Sequence, residues 1–199
     1  MSSSETELQN LLTAFLTIIF ESACAESGSI IIKDEKETFG VWAYGDQRDE
    51  IKTFDPPLPL SEKNVTATFV PIRIVHHTIN TGEIMFIHNV EEDTHFSSGP
   101  WFKNIGRSVI CIPIKHKDKL VGCLVIEGTV GIFTQRQITA LNLLCQQMGI
   151  SISNAFLFKS VQRVTQAYTK FVCFLYDLNN VSVYFIIFHV RYLFMYNLG

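Results

Sequence analysis

The chain has 199 residues, a formal net charge of −3, and 47% hydrophobic residues. This length suits one domain with a hydrophobic core and some extension. The chain has neither the excess of basic residues expected of a protein that binds nucleic acid nor an acidic block that would attract a cationic partner. The first ten residues lack the basic start of a secretory signal. The cysteines are scattered without a CxxC pair, so we expect them to be reduced thiols. Both observations predict an intracellular, cytoplasmic protein. The five cysteines are Cys24, Cys111, Cys123, Cys145 and Cys173.

The N-terminal quarter predicts a helix followed by a β-hairpin. Ser4 and Glu7 have the spacing of a capping box, and apolar residues then recur every three or four positions to about residue 25. The predicted buried stripe is Leu8, Leu11, Phe15, Ile18 and Ser22. The segments "SIIIK" and "TFGVWAYG" read as two strands joined by a polar turn, which predicts a hairpin over residues 29–44.

The middle of the chain mixes irregular and helical patterns. Residues 46–64 are polar and contain three prolines, so we expect them to be irregular. Residues 65–81 have helical periodicity, and Gly82 is expected to end that helix. A short strand, "EIMFI", and a long polar loop over residues 88–106 follow.

The segment "RSVICIPIKHKDKLVGCLVIEG" predicts two strands that are apolar on both faces. Such a hairpin must lie in the middle of a sheet with a layer on each side. Thr134 and Gln137 form a second capping box, and the helix after it carries the strongest apolar stripe of the chain. That stripe is Ile138, Leu141, Cys145, Met148, Ile152 and Ala155. The order of elements predicts an α+β fold: a central antiparallel sheet with the terminal helices on one face and the short helix plus loops on the other.

These motifs resemble the GAF domain, a small sensory module, over residues 5–158. "RSVICIPI" is similar to the family's "RSvLclPl" strand, and "FTQRQITALNLLCQQMGISISNAFLF" is similar to its C-terminal helix. The form resembles GAF domains of fungal and bacterial multidomain signalling kinases, including hybrid histidine kinases. The resemblance implies a non-catalytic module that senses a small molecule or dimerises, and passes its state to an output domain through its terminal helices.

The resemblance also implies a ligand pocket on the loop-covered face, although the ligand itself is unknown. The expected lining is Trp42, Tyr44, Phe69, His95, Phe96, Trp101, Phe102 and Ser108. Cyclic nucleotides and bilins are disfavoured, because the signature residues of the first and the loop cysteine of the second are absent from the sequence. No catalytic residue is expected, because the sequence contains neither a kinase catalytic motif nor a phosphoacceptor histidine box. No metal site is expected, because the histidines lie in solvated loops or turns or point apart on a helix.

Two other functions stay open. Some GAF proteins reduce free methionine sulfoxide with a cysteine thiolate, but Cys111 lies in an apolar strand, which raises a thiol pKa. Others are ligand-free dimerisation domains. The stripes on both terminal helices predict a homodimer formed through these helices.

Beyond the domain, residues 159–170 read as the start of a linker helix. Residues 171–199 are aromatic-rich and atypical, and we expect that they do not belong to the fold. Charges interrupt every apolar run there, so a membrane span is not expected.

Overall fold

The computed structural model describes residues 3–46, 49–63, 65–96, 101 and 106–196. It divides the chain into two compact units, residues 1–155 and residues 156–199. The helices are α1 (Ser3–Ala23), α2 (Ile72–Thr81) and α3 (Gln135–Tyr196), with a 3₁₀ turn over Val65–Thr68. The strands are β1 (Ser27–Lys33), β2 (Phe39–Asp46), β3 (Asp49–Pro59), β4 (Met85–Ile87), β5 (Arg107–His116) and β6 (Lys119–Thr129).

The six strands form one antiparallel sheet in the order β3-β2-β1-β6-β5-β4. β5 and β6 pair edge to edge along the predicted hairpin, and Ile110 lies opposite Ile126. Both strands are interior, because β1 lies beside β6 and β4 lies beside β5. The predicted α+β fold is confirmed.

Each face of the sheet is covered by helix, which explains why β5 and β6 are apolar on both sides. On one face, Ile31, Cys123 and Val125 belong to a cluster that includes Ile74 and Val75 of α2. We call this the α2 face. On the opposite face α1 packs closely, since the ring of Phe20 would be 3.2 Å from a Cβ atom placed on Gly28. This α1 face carries the fully buried Ile30, Ile32, Ile110, Ile112, Leu124 and Ile126.

The helix α3 starts at its predicted cap and packs through its predicted stripe. The backbone N–H of Thr134 donates to Gln137 Oε1 at 2.8 Å, and the N–H of Gln137 donates to Thr134 Oγ1 at 3.3 Å. The stripe from Ile138 to Ile152 is buried in the first unit. At Gly149 the helix approaches the hairpin so closely that an added Cβ would lie 2.1 Å from the carbonyl oxygen of Lys115.

The expectation that residues 46–64 are irregular is wrong, because most of them form β3. β3 is an edge strand, and a proline on an edge need not donate a ladder hydrogen bond. Its register shifts between the pairs Val41–Leu58 and Ala43–Thr53, so the prolines at 56 and 57 lie where the ladder is interrupted.

Two other expectations need correction. The buried stripe of α1 is Leu8, Leu12, Leu16, Ile19 and Ala23, whereas Ile18 is 45% exposed. Both rows of α1 are apolar, so spacing alone could not choose between them. The helix expected over residues 65–81 is interrupted at Pro71, since the residue before a proline is disfavoured in helical backbone. Its end was predicted correctly: Gly82 has φ +67° and its N–H donates to Thr78 O.

Candidate ligand-binding site

The α2 face changes from apolar to polar along the strands. Ser27 pairs with Asp46 on one side and with Glu127 on the other, and Ser29 pairs with Tyr44. Alternate residues of a strand share a face, so Ser27 and Ser29 lie on the same face as Ile31. Ser27, Ser29 and Glu127 are 4%, 2% and 6% exposed, respectively. The sheet therefore has a buried polar floor at this end, made of Ser27, Ser29 and Glu127.

An ion pair between neighbouring strands lies on this floor. Arg107 Nη1 lies 3.1 Å from Glu127 Oε2 and donates to Ser27 Oγ at 3.3 Å. Arg107 Nη2 lies 3.8 Å from Glu26 Oε2, and the hydroxyl of Thr129 donates to the other oxygen of Glu26. One guanidinium group therefore faces two carboxylates, one of them almost fully buried.

The pKa of Glu127 is unusually high for a carboxyl group. Burial raises its pKa to about 7, Arg107 opposes that rise, and the nearby carboxylates of Asp46 and Glu26 add to it. Its charge therefore changes close to neutral pH. A buried carboxyl with a perturbed pKa and a specific charged partner is typical of functional sites, although structural ion pairs show it as well.

Four of the predicted pocket residues lie together on the α2 face. The rings of Tyr44 and Phe69 have centroids 4.6 Å apart, and Tyr44 lies beside Ser29 in the register. Phe69 and Phe96 are partly buried against the α2-face cluster, and Trp101 is a buried member of it. Phe96 also meets the ring of His77 edge-on at 5.8 Å. These four aromatic residues and the polar floor thus lie on the same face of the sheet.

The other four predicted residues lie elsewhere or cannot be placed. Trp42 is buried, and its indole N–H donates to Ile32 O at 3.2 Å. The hydroxyl of Ser108 donates to His88 O and accepts from the N–H of Gly131, and its alternation with Ile110 places it on the α1 face. His95 is exposed. Phe102 lies outside the described residues.

Sequence reasoning did not select Arg107, Glu127 or Ser27 as site residues. A signal for Glu127 was present, since it is the one charged residue in the apolar run "GCLVIEG". A carboxylate in a buried strand needs a partner, and Arg107 opens the strand that pairs with β6. The contribution of Ser27 could not be foreseen, because it depends on β1 lying beside β6.

The buried thiols are poor nucleophiles. Cys123 lies near Cys111, and a hydrogen bond with Cys111 together with burial raises the pKa of Cys123. Burial also raises the pKa of Cys145. A protonated thiol neither attacks a sulfoxide nor binds a metal readily. The exposed cysteines are Cys24 and Cys173.

The described part of the chain contains neither a metal-binding cluster nor a membrane-spanning helix. Among them, no group of three or more His, Cys, Asp and Glu side chains is arranged to hold a metal ion. No helix in the described part of the chain combines the length and hydropathy needed to cross a membrane.

Known proteins resemble this chain in sequence and in fold. It is 29% identical over 170 residues to the peroxide stress-activated histidine kinase mak3 of Schizosaccharomyces pombe. The aligned region covers 84% of this chain and 7% of the kinase. The chain therefore spans a small part of that relative. The GAF domain region of a membrane protein from Geobacter sulfurreducens superimposes with a TM-score of 0.57 at 16% identity, over 75% of this chain and 95% of that one.

A third similarity bears on the enzymatic alternative. The type II free methionine-R-sulfoxide reductase of Thermoplasma acidophilum superimposes with a TM-score of 0.54 at 11% identity, over 74% of this chain and 93% of that one. At this identity the likeness shows the fold alone. The family model described as "GAF domain" matches residues 2–153, more than three quarters of the chain. The chain therefore belongs to the GAF domain family.

Proposed function

We propose that this chain is a non-catalytic sensory module of a signalling histidine kinase. In this proposal a small molecule with a planar or apolar body and one polar end binds on the α2 face, and the terminal helices pass its presence to an output domain. The similarity to named histidine kinases supports the signalling context. The domain would act inside the cell and as a homodimer.

The Arg107–Glu127 pair, in which Glu127 is buried and Arg107 is partly exposed, is the observation that carries the proposal. Replacing a buried ion pair by packed apolar side chains is often neutral or stabilising, so packing alone gives little reason for this pair. Here one guanidinium faces two carboxylates, those of Glu127 and Glu26, and donates to the buried Ser27. Arg107 can donate to an acceptor of a ligand, and Glu127 can accept from a donor or, when protonated, donate.

The aromatic residues complete the proposed site. Tyr44, Phe69 and Trp101 offer flat apolar surface on the same face as the ion pair. A ligand with a planar or apolar body and one polar end would match this combination. Cyclic nucleotides and bilins remain disfavoured by the sequence.

The path to the output helix follows from the packing of α3. Arg107 and Glu127 lie at one end of the β5–β6 hairpin, and the last residues of β5, at the opposite end of the hairpin, meet α3 at Gly149. A ligand that shifts β5 against β6 would therefore move this end of β5 against the helix. This is a population shift between two arrangements, and its size is limited by the difference in ligand affinity between them.

The alternatives are less well supported. A ligand-free dimerisation domain does not need a buried polar floor. A sulfoxide reductase needs an accessible thiolate, whereas the strand cysteines are buried and the thiol of Cys123 has a raised pKa.

Thermal-shift measurements against a library of small metabolites that combine a planar or apolar body with a polar group test the proposal. The full chain, Glu127→Gln and the exposed control Glu83→Gln should be compared, each with its fold verified by circular dichroism. We expect at least one compound to stabilise the wild type and Glu83→Gln but not Glu127→Gln. Equal shifts in all three proteins would place the binding elsewhere and contradict the proposal.

A further inference from the structure

The polar floor and its rim carry more negative than positive charge. The guanidinium of Arg107 is shared between the carboxylates of Glu127 and Glu26. A third carboxylate, that of Asp46, acts electrostatically on Glu127, and Asp46 lies opposite Ser27 in the register. This group of described residues therefore places three carboxylates around one guanidinium.

Two buried side chains of the floor have polar atoms without a partner. Ser29 is 2% exposed, and its hydroxyl makes no hydrogen bond to any described residue. Glu127 accepts the hydrogen bond of Arg107 at Oε2, whereas no described residue donates to its Oε1. Buried polar groups are normally hydrogen-bonded. These two atoms therefore mark a place where a donor from a ligand would complete the site.

We propose that the ligand of the α2 face is an organic cation, a primary amine or an amidine carried on a planar or apolar body. The inference rests on the proposed function and names the chemistry of the polar end of the ligand. An ammonium group has three N–H donors and no acceptor, so it can donate to Glu127 Oε1 and to the hydroxyl of Ser29 together. The two residues are diagonal neighbours on adjacent strands, a separation of roughly 7–8 Å that one group between them can span.

The charge of the site disfavours other ligands. A carboxylate or a phosphate would lie among three carboxylates, and the guanidinium that could compensate it is already shared. A neutral ligand would remove water from Glu127 without supplying a compensating charge. Lys52 lies opposite Tyr44 on the edge strand β3, but its side chain is exposed, so water and salt screen its charge.

The aromatic residues favour an organic cation over a metal ion. Tyr44 lies beside Ser29, and its ring centroid is 4.6 Å from that of Phe69. Aromatic faces attract an ammonium group and pack against a planar body. A metal ion would need several ligating side chains around one point, and the described residues contain no such group of His, Cys, Asp and Glu.

Binding of a cation should be coupled to the proton of Glu127. Burial raises the pKa of Glu127 to about 7, with Arg107, Asp46 and Glu26 as the charged groups that act on it. A ligand cation favours the charged carboxylate, whose fraction rises from about one tenth to nine tenths between about pH 6 and pH 8. The affinity for an amine should therefore increase by up to about tenfold over this range.

Thermal-shift measurements on the full chain test the charge of the ligand. The probes are metabolites sorted into amines and amidines, neutral compounds, and carboxylates or phosphates, with benzamidine and benzoate as a pair of matched shape. We expect the compounds that stabilise wild type and Glu83→Gln but not Glu127→Gln to be amines or amidines. If these compounds were anionic or neutral, the inference would fail while the proposed function stood; if no compound depended on Glu127, both would fail.

Calorimetric titration of the strongest amine tests the proton coupling. Its affinity for the wild type should rise between about pH 6 and pH 8, whereas Glu127→Gln should bind it weakly and equally at both values. Ser29→Ala should weaken binding but keep the pH dependence, because it removes a hydrogen-bond acceptor and no charge. A wild-type affinity that stays constant or falls with increasing pH would overturn the inference.

Discussion

Replacement of Glu127 by glutamine should remove a pH dependence from the stability of the first unit. The pKa of Glu127 rises from 4.5 to about 7 on folding, mainly through burial. At about 1.36 kcal/mol for each pKa unit, this corresponds to about 3 kcal/mol of unfolding free energy. The folded state binds the proton more tightly than the unfolded state. The stabilising contribution is therefore complete below about pH 4.5 and is lost as the pH rises through about 7.

Glutamine is similar in size and cannot ionise, so the variant should lack this loss. The assay is urea unfolding across that pH range, followed by tryptophan fluorescence. Both tryptophans of the chain, Trp42 and Trp101, are buried in the first unit, so the signal reports that unit. The quantity of interest is the difference in unfolding free energy between wild type and Glu127→Gln at each pH, because other titrating groups cancel in it.

That difference should move by about 3 kcal/mol in favour of the variant between about pH 4.5 and pH 8. The unfolding free energy of Glu83→Gln, which changes an exposed carboxyl, should depend on pH in the same way as that of the wild type. If Glu127→Gln also ran parallel to the wild type, Glu127 would not titrate in this window, and the reasoning from burial would be refuted.

Three further predictions concern the fold that positions this site. Gly149→Ala should destabilise the first unit by more than about 2 kcal/mol in the same urea assay, because the added Cβ would overlap Lys115 O. This loss is expected although alanine has the higher helix propensity. The control Asn154→Ala, at an exposed position of the same helix, should be neutral or stabilising. Thr134→Ala should cost about 1 kcal/mol through loss of the cap, whereas Thr139→Ala within the helix should cost nothing. Iodoacetamide at mildly alkaline pH should label only the two exposed cysteines of the native protein, as read by peptide mass spectrometry, and rapid labelling of a buried one would contradict the assigned burial.

The sequence was most informative where local chemistry decides the structure. The hairpin of β5 and β6, the capping box at Thr134 and the left-handed glycine at Gly82 each depend on residues close together in the chain. They were predicted correctly for that reason. The order of the elements along the chain predicted the arrangement of the layers, and the resemblance to GAF domains agreed with it.

Errors arose where the context of the whole sheet overrides local preference. The prolines of β3 are tolerated only because that strand lies at an edge, which its own sequence does not reveal. In α1, Leu12 and Leu16 rather than Leu11 and Phe15 face the sheet, a choice between two apolar rows that depends on how the helix lies on it.

The candidate site could be predicted only in part from the sequence, for the same reason. Tyr44, Phe69, Phe96 and Trp101 could be proposed from composition, since aromatic residues in and around loops are visible in the sequence. The Arg107–Glu127–Ser27 group joins three strands, and its register appears only when β1 lies between β2 and β6.

The central claim, a small molecule held over the polar floor of the α2 face, is tested most directly by mass spectrometry of the natively purified chain. Spectra recorded under native and denaturing conditions should reveal a bound compound that is released on unfolding. We predict that it accompanies the wild type and Glu83→Gln and is lost from Glu127→Gln. A compound retained in full by Glu127→Gln, or a wild-type protein that carries none and binds none when challenged with metabolites, would contradict the account.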